Sequence, residues 1–349
     1  MLKRLLTQTH SVPLFQGDQS RIHHDVPMRR LAFQGAVGAV RERRALADVQ
    51  EFVQFVGFPR SGHSLIGSVL DAHPRAVVSH ELDAMGLLRA GLSERMLYAL
   101  VLENSAAFSR NGRYWNGFSY VVPGQDGGGA GRPTVVGDKK GDWAVRWVQQ
   151  EPDLLDAVRR RLRARCRWVL VTRHPLDNIA TMSLRKGRTY DRLRIASESS
   201  AAFKAELKAA QARGDIAASA LDAMIDDYEE LCGGVAQMEA AISPDDWLHV
   251  VYEQFTREPE VEIRRLCQFL DLDPEPEYLA AAASIVHDSP NKSRRSVTWT
   301  DAQLERVRAL TRRFSFLVDY DASDDPSPPA PPGASAAAAP PTTAPPDGR

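Results

Sequence analysis

Apolar and polar positions alternate in some stretches of the chain and recur at helical spacing in others, and this divides it into strands and helices. Glu51–Phe58 alternates, is rich in β-formers and ends at Gly57-Phe58-Pro59, which predicts a buried strand entering a tight turn. From Ser64 to Ala72 the spacing becomes helical, with Leu65, Val69 and Leu70 on one face. Ala76–Ser79 predicts a second strand ending at His80-Glu81, with a helix following through Leu88. Pro133–Val136 runs into Gly137-Asp138-Lys139-Lys140, and Trp168–Thr172 meets Arg173-His174-Pro175 before a helix over Leu176–Leu184. Long helical stretches are expected over Ala196–Arg213 and Ile216–Ala241, then a strand over Trp247–Tyr252 and a helix over Glu258–Leu270. Residues 1–27 show no clear period and read as loosely ordered, and Met28–Gln50 reads as a helix or an irregular lead-in.

Strands alternating with helices predict the α/β class: one P-loop-like domain whose mostly parallel sheet carries helices on both faces. In such sheets ligands bind beyond the carboxyl ends of the strands. The predicted strands end at Arg60, Glu81, Lys139 and Arg173.

The organisation follows: a partly irregular lead-in over 1–50, the main domain over 51–320, and a tail over 321–349. From Asp324 the tail is mostly Pro, Ala, Ser and Thr, a composition that cannot bury a core and predicts disorder. Gly124–Gly131 reads as a flexible loop. A formal net charge of −1 gives no bulk field toward nucleic acid or an anionic membrane, so any anion site must be local. Cys166, Cys232 and Cys267 are widely spaced and suit a reducing compartment. With no apolar run near the ~20 residues of a bilayer span and no cleavable leader pattern at the start, the expected location is cytoplasmic. No metal is expected, and no motif reads on the oligomeric state.

Gly57-Phe-Pro-Arg-Ser-Gly-His-Ser64 has the form GxxxxGHS, the phosphate-loop pattern with His63 in place of its lysine. Glycines let backbone approach an anion, and a helix N-terminus favours negative charge. The alternative is a strand–turn–helix junction that needs glycine for geometry alone.

Residues 57–74, GFPRSGHSLIGSVLDAHP, resemble the 5′-phosphosulfate loop of sulfotransferases that use 3′-phosphoadenosine 5′-phosphosulfate (PAPS), above all the tyrosylprotein sulfotransferase branch with its PRSGTT and LDAHP. Arg173-His-Pro-Leu-Asp-Asn-Ile-Ala-Thr181 resembles the family's 3′-phosphate motif, and Arg185 falls where that branch has a further phosphate-binding arginine. Val251-Tyr-Glu-Gln-Phe255, followed by Pro259 and Phe269-Leu270, resembles the YEQL…P…FL segment. The resemblance spans Gly57 to about Trp299. It implies that Arg60, Ser61, Gly62, His63 and Ser64 bind the phosphosulfate, that Arg173, Thr181 and Arg185 bind the 3′-phosphate, and that Tyr252 bonds the nucleotide. The basic loop Ser289–Trp299 resembles the family's late cofactor loop, with Lys292 and Arg294 as its cations; the alternative is an exposed basic turn. Independently of the resemblance, a donor with two separated anionic groups needs two cationic seats, and Thr181 and Arg185 share a helix face.

Sulfuryl transfer needs a base for the acceptor proton and cations where charge develops on the leaving phosphate. Glu81 lies where the tyrosylprotein branch places its base. His80 is the competing choice, and either residue could instead cap the next helix. Lys139 resembles the family's leaving-group lysine, with Lys140 competing, and Arg60 assists. Asp83 and Leu87 stand where that branch has peptide-binding arginines, which puts acidic-peptide recognition in doubt. The acceptor hydroxyl is unnamed by any motif; its contacts are expected in Leu87–Gly131 and in the helices after Tyr190. Two other classes compete. A P-loop kinase of a small metabolite would want a phosphate-loop lysine and a strand-end aspartate for Mg²⁺, and a non-catalytic nucleotide-binding protein of this fold would not need Glu81 and Lys139.

Overall fold

In a computed structural model the structure describes residues 2–15, 23–125, 132–188, 202, 205–206, 209–210, 213, 218–286 and 290–320. The tail over 321–349, most of the helix expected over Ala196–Arg213, and residues 126–131 of the glycine loop lie outside the described residues.

The chain opens with helix α1 (Leu2–Thr7), an antiparallel hairpin of β1 (Thr9–Pro13) and β2 (His23–Pro27), and helix α2 (Met28–Arg41). This corrects the loose order expected over 1–27 for residues 2–15 and 23–27; residues 16–22 lie outside the described residues. These elements are too short to show a hydrophobic period, and long-range contacts place them: His10 Nε2 bonds the Leu82 carbonyl at 2.7 Å, and Phe15 packs on Phe108 and Trp115. The lead-in over Met28–Gln50 is helical in its first half. An added Cβ on Gly38 would meet Ala99 Cβ at 2.8 Å, a clash, and one on Gly35 would crowd Met96 at 3.1 Å, so small residues suit this helix contact.

Then follow β3 (Glu51–Gly57), α3 (His63–Asp71), β4 (Ala76–Ser79), α4 (Ala84–Ala90), α5 (Glu94–Arg110), a small hairpin of β5 (Tyr114–Trp115) and β6 (Phe118–Ser119), β7 (Val135–Asp138), α6 (Gly141–Gln150), α7 (Leu154–Arg161), β8 (Arg165–Thr172) and α8 (Pro175–Lys186). After the partly described stretch come α9 (Asp222–Ala241), β9 (Trp247–Val251), α10 (Tyr252–Arg257), α11 (Pro259–Phe269), α12 (Pro276–Ser284) and α13 (Asp301–Arg313).

Strands β4-β7-β3-β8-β9 form one five-stranded sheet, and every pairing in it is parallel. Period-two alternation sends Phe52 and Val56 of β3 into one core and Val53 and Phe55 into the other, so the sheet is covered on both faces. Full burial of each of these side chains contributes roughly 1.5–3 kcal/mol. Strand β3 is central. The chain leaves it toward β4 on one side and later returns on the other side as β8, which makes its carboxyl end a topological switch point.

Three further expectations are corrected. The helix expected from Ile216 begins at Asp222, because Ala220 N–H bonds the Thr298 carbonyl at 2.9 Å and holds the preceding residues extended. Tyr252, expected at a strand end, is the first residue of α10. Much of Leu87–Gly131, expected as acceptor-contacting loops, is the 17-residue α5 and the β5–β6 hairpin. Leu87 itself is buried in the core.

Candidate functional site

The carboxyl ends of β3, β4, β7, β8 and β9 deliver the predicted residues to one place. After β3 the backbone turns through left-handed residues at Gly57 (φ 126°), Arg60 (φ 72°) and Gly62 (φ 107°). Gly62 is required twice over, by its dihedral and because a Cβ there would run into the Tyr252 ring. The loop is held from the α8 side. Asn178 Nδ2 donates to the Pro59 carbonyl at 2.8 Å and Arg173 Nη1 donates to the Arg60 carbonyl at 3.3 Å. With those carbonyls held by Asn178 and Arg173, and the Ser61, Leu65 and Ile66 amides bonded within the turn, the amides of Gly62, His63 and Ser64 form the open edge, the arrangement that suits an anion at a helix start.

Not every predicted loop side chain faces the mouth. Ser61 is fully buried and its hydroxyl donates to the Phe58 carbonyl at 2.9 Å. His63 turns inward: its Nε2 meets the Val56 carbonyl at 3.0 Å, and its ring fills the space that a Cβ on Gly141 would need. Burial pushes His63 down to about 4, so it is a neutral packing residue. Its side chain is thereby corrected from a loop contact to a support beneath the loop. Ser64 does face the site, where its hydroxyl accepts from Lys139 Nζ at 2.9 Å and hydrogen-bonds Tyr120.

Glu81 sits just past β4 in a left-handed conformation (φ 63°) that swings its carboxylate to the lysines after β7. Lys139 Nζ pairs with Oε1 and Lys140 Nζ with Oε2, the latter at 3.0 Å. Burial opposes ionisation, but Lys139 and Lys140 together more than offset it and hold Glu81 well below the usual carboxylate range. Both competing lysines therefore converge on one carboxylate. His80 does not join them. Its amide donates to Asn104 Oδ1 at 2.7 Å, and its ring stacks on Phe108 with centroids 4.0 Å apart. Burial keeps its imidazole neutral. Asp83 caps α4 through the Gly86 amide and accepts from Trp147 Nε1 at 3.0 Å.

Arg173 leaves β8 into a buried niche. Its Nη1 also bonds Thr181 Oγ1 at 3.3 Å, its Nη2 bonds the Asn291 carbonyl, and its Cζ lies 5.6 Å from the centre of the Tyr252 ring. Its Nε is buried without a hydrogen-bond partner. Arg60, half-buried on the loop, takes no ion pair among the described residues. Thr181 meets Ser293 Oγ at 3.0 Å, so the late loop does reach this end of the site. Lys292 is exposed there. Arg294, expected as a loop cation, is instead buried: its amide bonds Asp177 Oδ1 at 2.8 Å and its guanidinium pairs with the same carboxylate at 3.7 Å. Arg185 reaches Asn116 Oδ1.

Residues that sequence reasoning missed come from the two hairpins. Asn116 and Tyr120 flank β6 and bind Arg185 and Ser64, and burial pushes the Tyr120 phenol up to about 12. The Asn116-Gly117 pair, both at positive φ, is a hairpin signal that was present in the sequence. A strand-end aspartate also exists. Asp138 closes β7, but it is fully buried and accepts from the Leu82 and Ala84 amides and from Ser79 Oγ, which commits it to internal bonds rather than Mg²⁺.

Comparison with known proteins adds to this geometry. Residues 161–276 match the model of the sulfotransferase family, a stretch that carries Arg173, Thr181, Arg185 and Tyr252, and sulfuryl transfer is the chemistry the match supports. Curated proteins give no match. Solved structures similar to this chain include the sulfotransferase domain of the Synechococcus PCC 7002 olefin synthase, at 13% identity over 76% of this chain and 94% of that one, with TM-score 0.42. Another is sulfotransferase STF9 from Mycobacterium avium, at 13% identity over 82% of this chain and 84% of that one, with TM-score 0.43. Among the described residues no helix is long and apolar enough to cross a membrane.

Proposed function

We propose that the chain moves a sulfuryl group from PAPS to an acceptor hydroxyl by in-line displacement. One observation carries the reading. Two arginines that make no close ion pair among the described residues, Arg60 and Arg173, stand at one strand-end crevice and are joined through the Arg60 carbonyl, and Arg173 Nε is buried without a hydrogen-bond partner, as a nucleotide with an anion at each end requires. The Arg60 loop with Ser64 takes the phosphosulfate, and Arg173, Thr181 and Arg185 take the 3′-phosphate. Tyr252 covers Gly62 between them.

The acceptor oxygen forms a bond to sulfur as the sulfur–oxygen bond to the 5′-phosphate breaks. Glu81 takes the acceptor proton, and the products are a sulfate ester and 3′,5′-ADP. A carboxylate bound to two lysines is a weak base. Lys139 already divides its ammonium between Glu81 and Ser64. A phosphosulfate at Ser64 draws Lys139 toward the leaving group, which raises the basicity of Glu81 when donor is bound. The tyrosylprotein branch is the pattern for this donor side only: with Asp83 capping α4 and Leu87 in the core, neither residue holds an acidic peptide.

Calorimetric titration with 3′,5′-ADP tests the reading. Micromolar binding without Mg²⁺ is expected. Binding of ATP–Mg²⁺ in preference to 3′,5′-ADP would overturn it in favour of a kinase, and 3′,5′-ADP binding without turnover of labelled PAPS across an acceptor panel would make the chain a binding protein.

A further inference from the structure

The acceptor side of the crevice is closed by a segment that precedes the phosphate loop. His23, the first residue of β2, pairs in register with Pro13 and sits edge-on to Trp115, with ring centroids 5.7 Å apart and an interplanar angle of 89°. Behind Trp115 stand His80, at 4.9 Å, and Phe108, while Phe15 from the same hairpin packs on Phe108 and Trp115. Lys139 Nζ lies 5.8 Å from the centre of the Trp115 ring, which puts this aromatic wall beside Glu81.

His23 Nδ1 is buried with no hydrogen-bond partner. Leaving such an atom unpaired is costly, so it points to a missing partner. Burial first, then the charges of Lys140 and Lys139, push its imidazole down to about 4, against the opposing pull of Glu81. The ring is therefore neutral at pH 7 and within the field of the catalytic carboxylate.

We propose that the N-terminal hairpin completes the acceptor seat: His23 Nδ1 hydrogen-bonds the acceptor oxygen beside Glu81, and the acceptor is an alcohol borne on a flat, apolar framework that lies along the Phe15–Trp115 wall. The Nδ1 proton engages one lone pair of that oxygen. The other lone pair is left for sulfur, and the hydroxyl proton for Glu81. This inference rests on the sulfuryl-transfer reading.

The test uses the full chain loaded with 3′,5′-ADP and 2-naphthol as the probe, with binding followed by calorimetry and by the signals of ¹³C-labelled histidine. The expected result is that 2-naphthol shifts the His23 resonance, that His23→Ala weakens 2-naphthol at least 10-fold, and that His23→Asn, which restores a polar atom near Nδ1, recovers most of the loss. The affinity for 3′,5′-ADP stays the same in all three proteins. Absence of 2-naphthol binding to the loaded wild type, or equal binding to His23→Ala, overturns the proposal while leaving the donor reading intact. Failure of the wild type to bind 3′,5′-ADP overturns the donor reading and this proposal with it.

Discussion

Arg173 donates from Nη1 to the backbone carbonyl of Arg60 at 3.3 Å, across 113 positions of sequence. The loop after β3 and the end of β8 are therefore parts of one surface, and a change in either arginine is felt at both.

Replacing either arginine is expected to weaken 3′,5′-ADP by about 10- to 150-fold, from the roughly 1.5–3 kcal/mol of a charge-assisted hydrogen bond. Arg173→Ala carries an added effect, because it also releases the Arg60 and Asn291 carbonyls. Calorimetry on Arg60→Ala, Arg173→Ala and Arg173→Lys checks this. Lysine restores charge but not the fork, so it should recover only part of the affinity.

Glu81→Gln is expected to lower turnover about 10²- to 10⁴-fold, the usual worth of a positioned base. Binding of 3′,5′-ADP should not fall, since Lys139 and Lys140 lose an internal partner and turn more readily to an anion. Unchanged turnover would remove Glu81 as the base.

His63 makes a different prediction because its ring supports the loop from below. Its pKa is about 4 folded and 6.5 unfolded, so the unfolded chain binds the extra proton between those values. Its contribution to stability is whole above pH 6.5 and is lost as pH falls toward 4, with a slope of up to about 1.4 kcal/mol per pH unit. Urea melts across that range should show a shallower slope in His63→Gln.

Asp71 and Arg113 form a buried pair at 2.7 Å, with Asp71 also accepting from the Val78 amide and Ser105 Oγ. Removing one partner strands a buried charge, so Asp71→Ala should cost about 3–5 kcal/mol of stability. The loss should appear in thermal melts, with 3′,5′-ADP affinity at low temperature little changed.

The sheet and its arginines were legible because the β-formers of Glu51–Gly57 and the apolar run Trp168–Val171 are ended by Gly-Phe-Pro and Arg-His-Pro, signals that need no tertiary context. The same sequence could show Arg294 as a cation but not its capture by Asp177, 117 positions away. It could show that His63 replaces a lysine, yet not that Gly141 leaves a hollow for the ring. The β1–β2 hairpin was lost for a plainer reason: strands of five residues whose buried positions are decided by Phe108, Trp115 and Leu82 carry no period of their own.

The Tyr252 ring lies against Gly62, and the two are separated by most of the domain's length. A ribosome thus releases the loop, its strand and both neighbouring strands well before the aromatic clamp exists. Nascent chains stalled ahead of Tyr252 should have most of the sheet and little grip on nucleotide, so donor affinity would appear late in synthesis, as the final strand docks.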